Sequence, residues 1–174
     1  DLVVEAAGRS AIDRWAPAAI AARATLIMAS TSAFCDDALL PHLASLAERH
    51  GTRIVITPGA IGGIDALAGA AVLGLDSVVH RIVKPPVAWK GTPAEKLLDL
   101  DRLTERTCFF TGTARDAATQ YPQNANATVV TSLAGIGIDR TQVELVADPA
   151  VRINQHNIAA RGPSGRMEIT LENS

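Results

Sequence analysis

The sequence predicts an α/β protein in which a partial Rossmann-type parallel sheet, its N-terminal part missing, is followed by an α+β domain with an open mixed or antiparallel sheet. Two observations predict this class. Short buried strands alternate with helices over residues 1–57, which is typical of βαβ units with right-handed crossovers. Beyond a glycine-rich loop at residues 58–63, the last strand-like segments instead follow one another, as in antiparallel sheets. We expect residues 1–60 to be the remainder of a dinucleotide-binding domain and residues 61–174 to form an α+β catalytic and dimerisation domain.

Three buried parallel strands are predicted in the first part of the chain, at residues 2–6, 25–29 and 53–57. Each is a short apolar run bounded by polar or turn-forming residues, as strands covered on both faces are. Because the first strand begins almost at the first residue, and a central strand needs a neighbour on each side, we expect the chain to be a fragment that lacks an N-terminal portion.

Two helices are predicted to connect these strands. The first begins at Ser10, its N-cap, and Pro17 is expected to kink it or to restart it. The second is capped by one of the aspartates at positions 36 and 37, and its leucines and alanines recur at the helical period. Gly51 closes this second helix in a left-handed conformation.

The second part of the chain mixes helices and strands. Residues 64–73 predict a helix of small residues, and residues 77–84 alternate as a half-exposed strand does. A polar segment with many turn-forming residues follows, with a short helix at residues 93–100. The remaining elements are one strand, two helices and three antiparallel strands, at residues 107–111, 114–120, 124–133, 142–147, 151–159 and 166–172.

Composition excludes several classes of protein. The chain has 174 residues, of which 48% are hydrophobic and 3% aromatic, and its formal net charge is −2. These values rule out a disordered chain and argue against a nucleic-acid binder. The apolar run at residues 66–75 is too short to cross a membrane. Cys35 and Cys108 are too few for a disulfide framework, so we expect a reducing compartment, the cytoplasm; two buried thiols and one disulfide are both compatible with the sequence.

His156 is the candidate for catalysis among the four histidines. Alternation along its strand places Asn154, His156 and Ile158 on one face. Such a face can hold an imidazole over a ligand and orient it. The alternative is a surface histidine on an edge strand. His80, which alternates with apolar neighbours, is interpreted as a solvated or packed side chain.

The glycine-rich loop could contact a cofactor. Gly59, Gly62 and Gly63 carry no side chains, so a flat ring or a phosphate could approach the backbone N–H groups. The loop matches neither the dinucleotide fingerprint nor a P-loop, and a tight turn at a domain hinge explains it equally well. No histidine and cysteine spacing suits zinc and no nucleophile elbow occurs, so neither a metal nor a covalent serine mechanism is expected.

Polar residues elsewhere could bind an anionic substrate or a cofactor amide. Asn124 and Asn126 stand at a predicted helix start, where carboxylates bind well. Lys84 is held by the two prolines that follow it, and Arg161 could clamp an anion. The hydroxyls of residues 30–32 follow the second strand, at the sheet edge where α/β proteins bind ligands. Helix capping and solvated surface charge are the alternative uses of these residues.

Seven segments, taken together and in this order, resemble the L-aspartate dehydrogenase family. They span essentially the whole chain: DLVVEAA at residues 1–7, PGAIGGIDAL at 58–67, KPP at 84–86, NAN at 124–126, LAGIGIDRT at 133–141, ADP at 147–149 and NQHNI at 154–158. The resemblance implies a Rossmann domain followed by an α+β domain. It also implies an enzyme that uses NAD or NADP to oxidise L-aspartate through iminoaspartate to oxaloacetate and ammonia, feeding NAD biosynthesis.

The resemblance also implies roles for particular residues. Ala60 and Asn126 would contact the cofactor, and His156 would be the catalytic acid and base. Lys84, Asn124 and Arg161 remain the candidates for the two substrate carboxylates. A homodimer is expected because exposed faces and edges of an open sheet are commonly covered by a partner subunit.

Two other functions stay open. A related oxidoreductase, of the dihydrodipicolinate reductase or homoserine dehydrogenase type, would require a substrate-binding motif that we do not find. A non-catalytic dinucleotide sensor would bind NAD without turning over any amino acid. A substrate panel with NAD and NADP, together with calorimetric titration of NAD, separates these possibilities.

Overall fold

The computed structural model describes residues 1–173 and contains two sheets. The first is a parallel three-stranded sheet in the order β1-β2-β3. Its strands are β1 (Leu2–Glu5), β2 (Thr25–Met28) and β3 (Ile54–Ile56). The helices α1 (Arg9–Ala21) and α2 (Leu39–Arg49) connect them, which confirms the predicted βαβαβ unit.

The second sheet is mixed and has five strands in the order β5-β6-β4-β7-β8. β4 runs parallel to β6, and the other neighbouring pairs are antiparallel. Helix α3 (Ile64–Val72) precedes this sheet, and helices α4 and α5 lie between its strands in sequence. The bounds are β4 (Ser77–Lys84), β5 (Thr107–Thr113), α4 (Ala114–Gln120), α5 (Ala125–Ala134), β6 (Gln142–Ala147), β7 (Asn154–Gly162) and β8 (Gly165–Asn173).

Four of the six aromatic residues of the chain pack together beside the second sheet: Trp89, Phe109, Phe110 and Tyr121. Trp89 is fully buried, and its indole N–H donates to the Val146 carbonyl of β6 at 3.0 Å. Phe109 meets the Trp89 ring edge-on, and Tyr121 packs against both rings. This cluster holds the irregular segment after β4 against the sheet, and so fixes the end of the strand that carries Lys84.

The structure corrects three local predictions. Helix α1 starts after Gly8 rather than at a Ser10 cap, and it continues through Pro17 without restarting, because Ile12 and Ile20 are buried on either side. Helix α2 begins at residue 39, with no aspartate as its N-cap. The predicted helix at residues 93–100 is only a 3-10 turn at Pro93–Lys96.

Strand β4 alternates as predicted. It is the central strand of its sheet, and Val78, His80 and Ile82 are all buried on one face. On the opposite face, Val79 and Arg81 are partly exposed, which confirms the prediction of a half-exposed strand. The cysteines are separate free thiols, with Cys35 half-buried and Cys108 exposed, so the interpretation of two buried thiols is wrong for Cys108. None of the helices within residues 1–173 is long and apolar enough to cross a membrane.

A buried carboxylate ties the ends of β1 and β2 together. Glu5 accepts hydrogen bonds from the backbone N–H groups of Ala7, Gly8 and Ser30 and from the Ser30 hydroxyl, all within 3.0 Å. Burial by itself would raise the pKa of the Glu5 carboxyl, but these hydrogen bonds outweigh it and the net pKa lies below the ordinary value. The carboxylate therefore shapes both loops at the carboxyl edge of the parallel sheet.

Glu5→Gln is expected to lower the free energy of unfolding of the full-length protein by about 2 kcal/mol at pH 7, because an amide cannot accept all four hydrogen bonds. A carboxyl with a depressed pKa stabilises the fold above its unfolded pKa, near ~4.3, and loses that contribution as pH falls through the folded value. The difference between the two proteins should therefore shrink below about pH 4 in urea titrations. Glu48→Gln, at an exposed position on α2, is the control; equal effects of the two substitutions would contradict the role of Glu5.

Candidate active site

A cleft of about 300 Å³ lies between the parallel sheet and the mixed sheet. One wall is formed by the segments that follow β2 and β3, and the other by the start of α5 with the ends of β4 and β7. Its lining includes Thr31, Gly59, Ala60, Lys84, Asn124, Asn126 and His156. Five of the six residues singled out in the sequence therefore meet in one cavity.

β7 places His156 at the cleft. The strand lies between β4 and β8, so the alternative of a surface histidine on an edge strand is wrong. His156 is only 6% exposed and shares its face with the buried Ile158, as the alternation predicted. An imidazole held on an interior strand is fixed in position, which suits a group that must meet a reacting atom.

A second histidine, His80, contacts His156 from behind. His80 Nε2 lies 3.0 Å from His156 Nδ1, and the ring centroids are 5.2 Å apart. His80 is completely buried, and its Nδ1 has no hydrogen-bond partner within residues 1–173. Residues 82 and 156 are directly opposite in the β4–β7 register, so His80 stands diagonally from His156 on the same face.

Both imidazoles are neutral at physiological pH. Burial lowers the pKa of His80 to about 3, with a further contribution from His156. Burial also lowers the pKa of His156 to about 4, and the positive charge of Lys84 contributes to the shift. A neutral His156 in the cleft is in the protonation state of a general base.

Lys84, at the end of β4, supplies positive charge to the cleft. Its ammonium lies 5.1 Å from the centroid of the Trp89 ring, and burial lowers its pKa. Within residues 1–173 it pairs with no carboxylate, and it is the sole charged side chain among the described residues that line the cleft. A cation without a counter-charge beside a neutral base favours an anionic ligand.

The two asparagines at the start of α5 behave differently. Asn126 joins the walls of the cleft: its side-chain oxygen accepts from the Ser32 N–H at 2.9 Å, and its backbone carbonyl accepts from the Thr31 hydroxyl. Asn124 is buried, and its side-chain amide makes no hydrogen bond to the described part of the chain. Asn126 is therefore partly committed to the fold, whereas the Asn124 amide remains available to a ligand.

The glycine-rich loop serves two purposes. A Cβ on Gly63 would lie 2.9 Å from the Ile169 side chain, and one on Gly62 would lie 3.3 Å from Leu171, so these two glycines let the loop pack against β8. Gly59 has a φ of 59° and open space where a Cβ would be. With Ala60 and Ala29 beside it, this side of the cleft has no bulky side chain and fits a flat cofactor ring.

Arg161 is not brought to the cleft. It lies at the far end of β7, opposite Ser77, and is exposed to solvent. It is five positions from His156 on the extended strand, roughly 16 Å along the strand. In residues 1–173 no three histidine, cysteine or acidic side chains come together in a way that could hold a metal ion.

The sequence pointed to His156, Lys84, Asn124, Asn126 and Ala60, but it missed the part that His80 plays. The alternating pattern of β4 did put His80 on the buried face. The register that sets it beside His156 joins residues 76 positions apart, and no local pattern encodes that distance.

A βαβαβ unit faces a mixed sheet across a cleft that holds a neutral histidine and an unpaired lysine. This geometry defines the class of dinucleotide-binding α/β proteins that carry an α+β part. Residues 1–57 match the family model for the homoserine dehydrogenase NAD binding domain, and residues 65–174 match the model for the aspartate dehydrogenase C-terminal region. The chain belongs to the aspartate dehydrogenase family, which confirms the resemblance seen in its sequence motifs.

Individual relatives agree with this family assignment. The chain is 55% identical over 172 residues to the L-aspartate dehydrogenase of Brucella anthropi and 46% identical over 171 residues to that of Pseudomonas aeruginosa. The matches cover 99% and 98% of this chain and 64% of each relative, so the chain spans about two thirds of their length or slightly less. The crystal structure of aspartate dehydrogenase from Thermotoga maritima superposes with a TM-score of 0.86 at 28% identity, covering 99% of this chain and 68% of that one.

Lys84→Met is expected to raise the pKa of His156 towards its ordinary value, because the charge that contributes to its depression is removed while burial remains. An NMR titration of the His156 ring in the full-length protein measures this shift. Lys96→Met removes a charge from an exposed position outside the cleft and serves as the control. A pKa for His156 that is unchanged in Lys84→Met would mean that the two groups do not interact.

Proposed function

We propose that the whole protein is an NAD(P)-dependent L-aspartate dehydrogenase, which converts L-aspartate and water to oxaloacetate and ammonia and acts in the supply of precursor for NAD biosynthesis. The observation that carries the proposal is the neutral imidazole of His156 beside the unpaired ammonium of Lys84 in one cleft. Membership of the aspartate dehydrogenase family supports the choice of substrate.

The cofactor would lie against the wall formed by the segments after β2 and β3. Ala60 on this wall and the side chain of Asn126, which reaches Ser32 from α5, are the residues that would hold it, with the space beside Gly59 open to the ring. A bound nicotinamide nucleotide supplies the hydride acceptor for C2 of the amino acid. The Asn126 amide nitrogen is free to donate while its oxygen stays bonded to Ser32.

His156 would act in the hydrolytic half of the reaction. Its Nδ1 faces His80, so Nε2 is the nitrogen available to the cleft. As a water molecule adds to the carbon of iminoaspartate, Nε2 accepts a proton from it, and the same proton is then given to the departing amine. One side chain can serve both steps because the neutral imidazole accepts the proton at Nε2 and returns it from the same atom.

The substrate carboxylates would be bound by the opposite wall. Lys84 offers a charge-assisted hydrogen bond to one of them, and the unengaged amide of Asn124 offers a neutral one to the other. Both side chains are substantially buried, so these interactions are screened less by water than surface contacts are. Arg161 has no part in this arrangement, because it lies at the other end of β7.

We also propose that the protein is a homodimer formed through the open face of the mixed sheet. The centre of that face carries a salt bridge between Arg81 and Glu144, which are both only partly exposed. Around it lie Val79, Asn157 and Ala159, also partly covered, so the face is neither a bare apolar patch nor fully charged. Sedimentation equilibrium of the full-length protein should give twice the monomer mass, and a monomer at micromolar concentration would contradict this arrangement.

His156→Ala should lower kcat for L-aspartate oxidation by roughly 10²–10⁴-fold, while the affinity for NAD(P) measured by calorimetry changes little. Steady-state reduction of NAD and NADP with L-aspartate, followed at 340 nm, measures the effect, and L-homoserine is the comparison substrate. His42→Gln, on the exposed side of α2, should leave both quantities unchanged. Turnover of His156→Ala close to that of the wild type would remove the assignment.

A further inference from the structure

His80 is the buried group that the proposed mechanism does not use. Its ring is completely enclosed, its Nε2 meets His156 Nδ1 at 3.0 Å, and its Nδ1 has no partner within residues 1–173. An aliphatic side chain would suit the neighbours Val78 and Ile82 better, because an unsatisfied buried nitrogen is costly. The contact with His156 is the one polar interaction that the His80 ring makes in the described structure.

The acid and base forms of His156 constrain this contact. As a base, His156 needs a lone pair on Nε2, so its single proton must be on Nδ1. As an acid, it carries protons on both nitrogens. Nδ1 therefore holds a proton in both forms, and the group facing it has to accept a hydrogen bond.

We propose that His80 is a positioning residue that accepts a hydrogen bond at Nε2 from Nδ1 of His156, and thereby fixes the tautomer in which His156 presents a lone pair to the cleft. This inference rests on the proposed acid and base role of His156. His80 itself then carries its proton on Nδ1, the atom that has no partner. The unsatisfied N–H is the consequence of keeping Nε2 free to accept.

His80 is suited to this task because it does not compete for the proton. Its complete burial lowers its pKa below that of His156, so the proton taken up at the cleft stays on His156. Among the described groups that face this pair, Lys84 is the one that is charged, and its positive charge further disfavours a second cation. His80 therefore remains a neutral hydrogen-bond acceptor, and His156 is the ring of the pair that takes up and releases the proton.

The first test measures the tautomer of His156 directly and does not require the protein to be catalytically active. Long-range ¹H–¹⁵N correlation spectra of the full-length protein at pH 7 should show the neutral His156 ring protonated at Nδ1, with a pyridine-type Nε2. In His80→Leu the ring should lose this preference and its pKa should fall further, because the imidazolium loses its acceptor. A wild-type His156 ring protonated at Nε2 would overturn the proposal.

The second test separates positioning from packing. His80→Leu should reduce kcat for L-aspartate by about 10–100-fold with a small change in KM. His80→Gln, whose side-chain oxygen can reach the position of Nε2, should restore both kcat and the Nδ1 tautomer. Thermal unfolding of each variant shows whether it is folded.

The outcomes distinguish the two proposals. Equal kcat in the wild type and His80→Leu, or a loss that His80→Gln does not rescue, would overturn the role of His80. If the wild type oxidises no L-aspartate at all, the proposed function fails, while the tautomer spectra still decide whether His80 orients His156. If His80→Leu does not fold, the wild-type spectrum and His80→Gln together still decide the proposal.

Discussion

The register of β4 against β7 is the constraint on which the site depends. It sets Ile82 opposite His156 and brings His80 onto the same buried face, so that two imidazoles meet inside a sheet instead of at its surface. A slip of one residue would turn His156 to the open face of the sheet and away from the cleft. The register is held from both sides, because β6 pairs with β4 and β8 pairs with β7.

Polar contacts join the two parts of the protein beside the cleft, next to an apolar core that both parts share. Arg115 of α4 donates to the Cys35 carbonyl and pairs with Asp37, both from the segment that follows β2. Asn126 binds the same segment at Ser32. Glu5 fixes the start of this segment by accepting hydrogen bonds from Ser30. The residues that would bind the cofactor are thus placed by the same hydrogen bonds that join the two parts of the protein, and cleft geometry and fold stability are coupled.

The parts of the structure that the sequence predicts are the local ones. The βαβαβ unit follows from apolar runs and helical periodicity within about fifty residues, and Gly51 is left-handed as expected. The predicted cap of α1 was wrong because Glu5 satisfies the N–H of Gly8, a contact between strand and loop that outweighs local capping preference. The predicted cap of α2 was wrong because Asp36 accepts from the Ala38 N–H before the helix begins, and Asp37 pairs with Arg115. The alternation of β7 identified His156. The same alternation does not show that Arg161 lies outside the cleft, because that depends on the length and direction of the strand. The partnership of His80 with His156 depends on non-local pairing, which no single segment contains.

The energetics of the His80 ring argue for a role beyond packing. Leaving a buried polar atom without a partner costs about 1–3 kcal/mol, a large fraction of the stability of a protein. Two such side-chain atoms occur in the described residues, His80 Nδ1 and Thr141 Oγ1, and the threonine lies at a turn just before β6 rather than at the cleft. A leucine at position 80 would avoid this cost, but it would leave His156 Nδ1 facing hydrocarbon, and the ring would then be free to turn. The unsatisfied Nδ1 of His80 is therefore the consequence of ordering His156, because the cleft requires a defined lone pair on His156 Nε2.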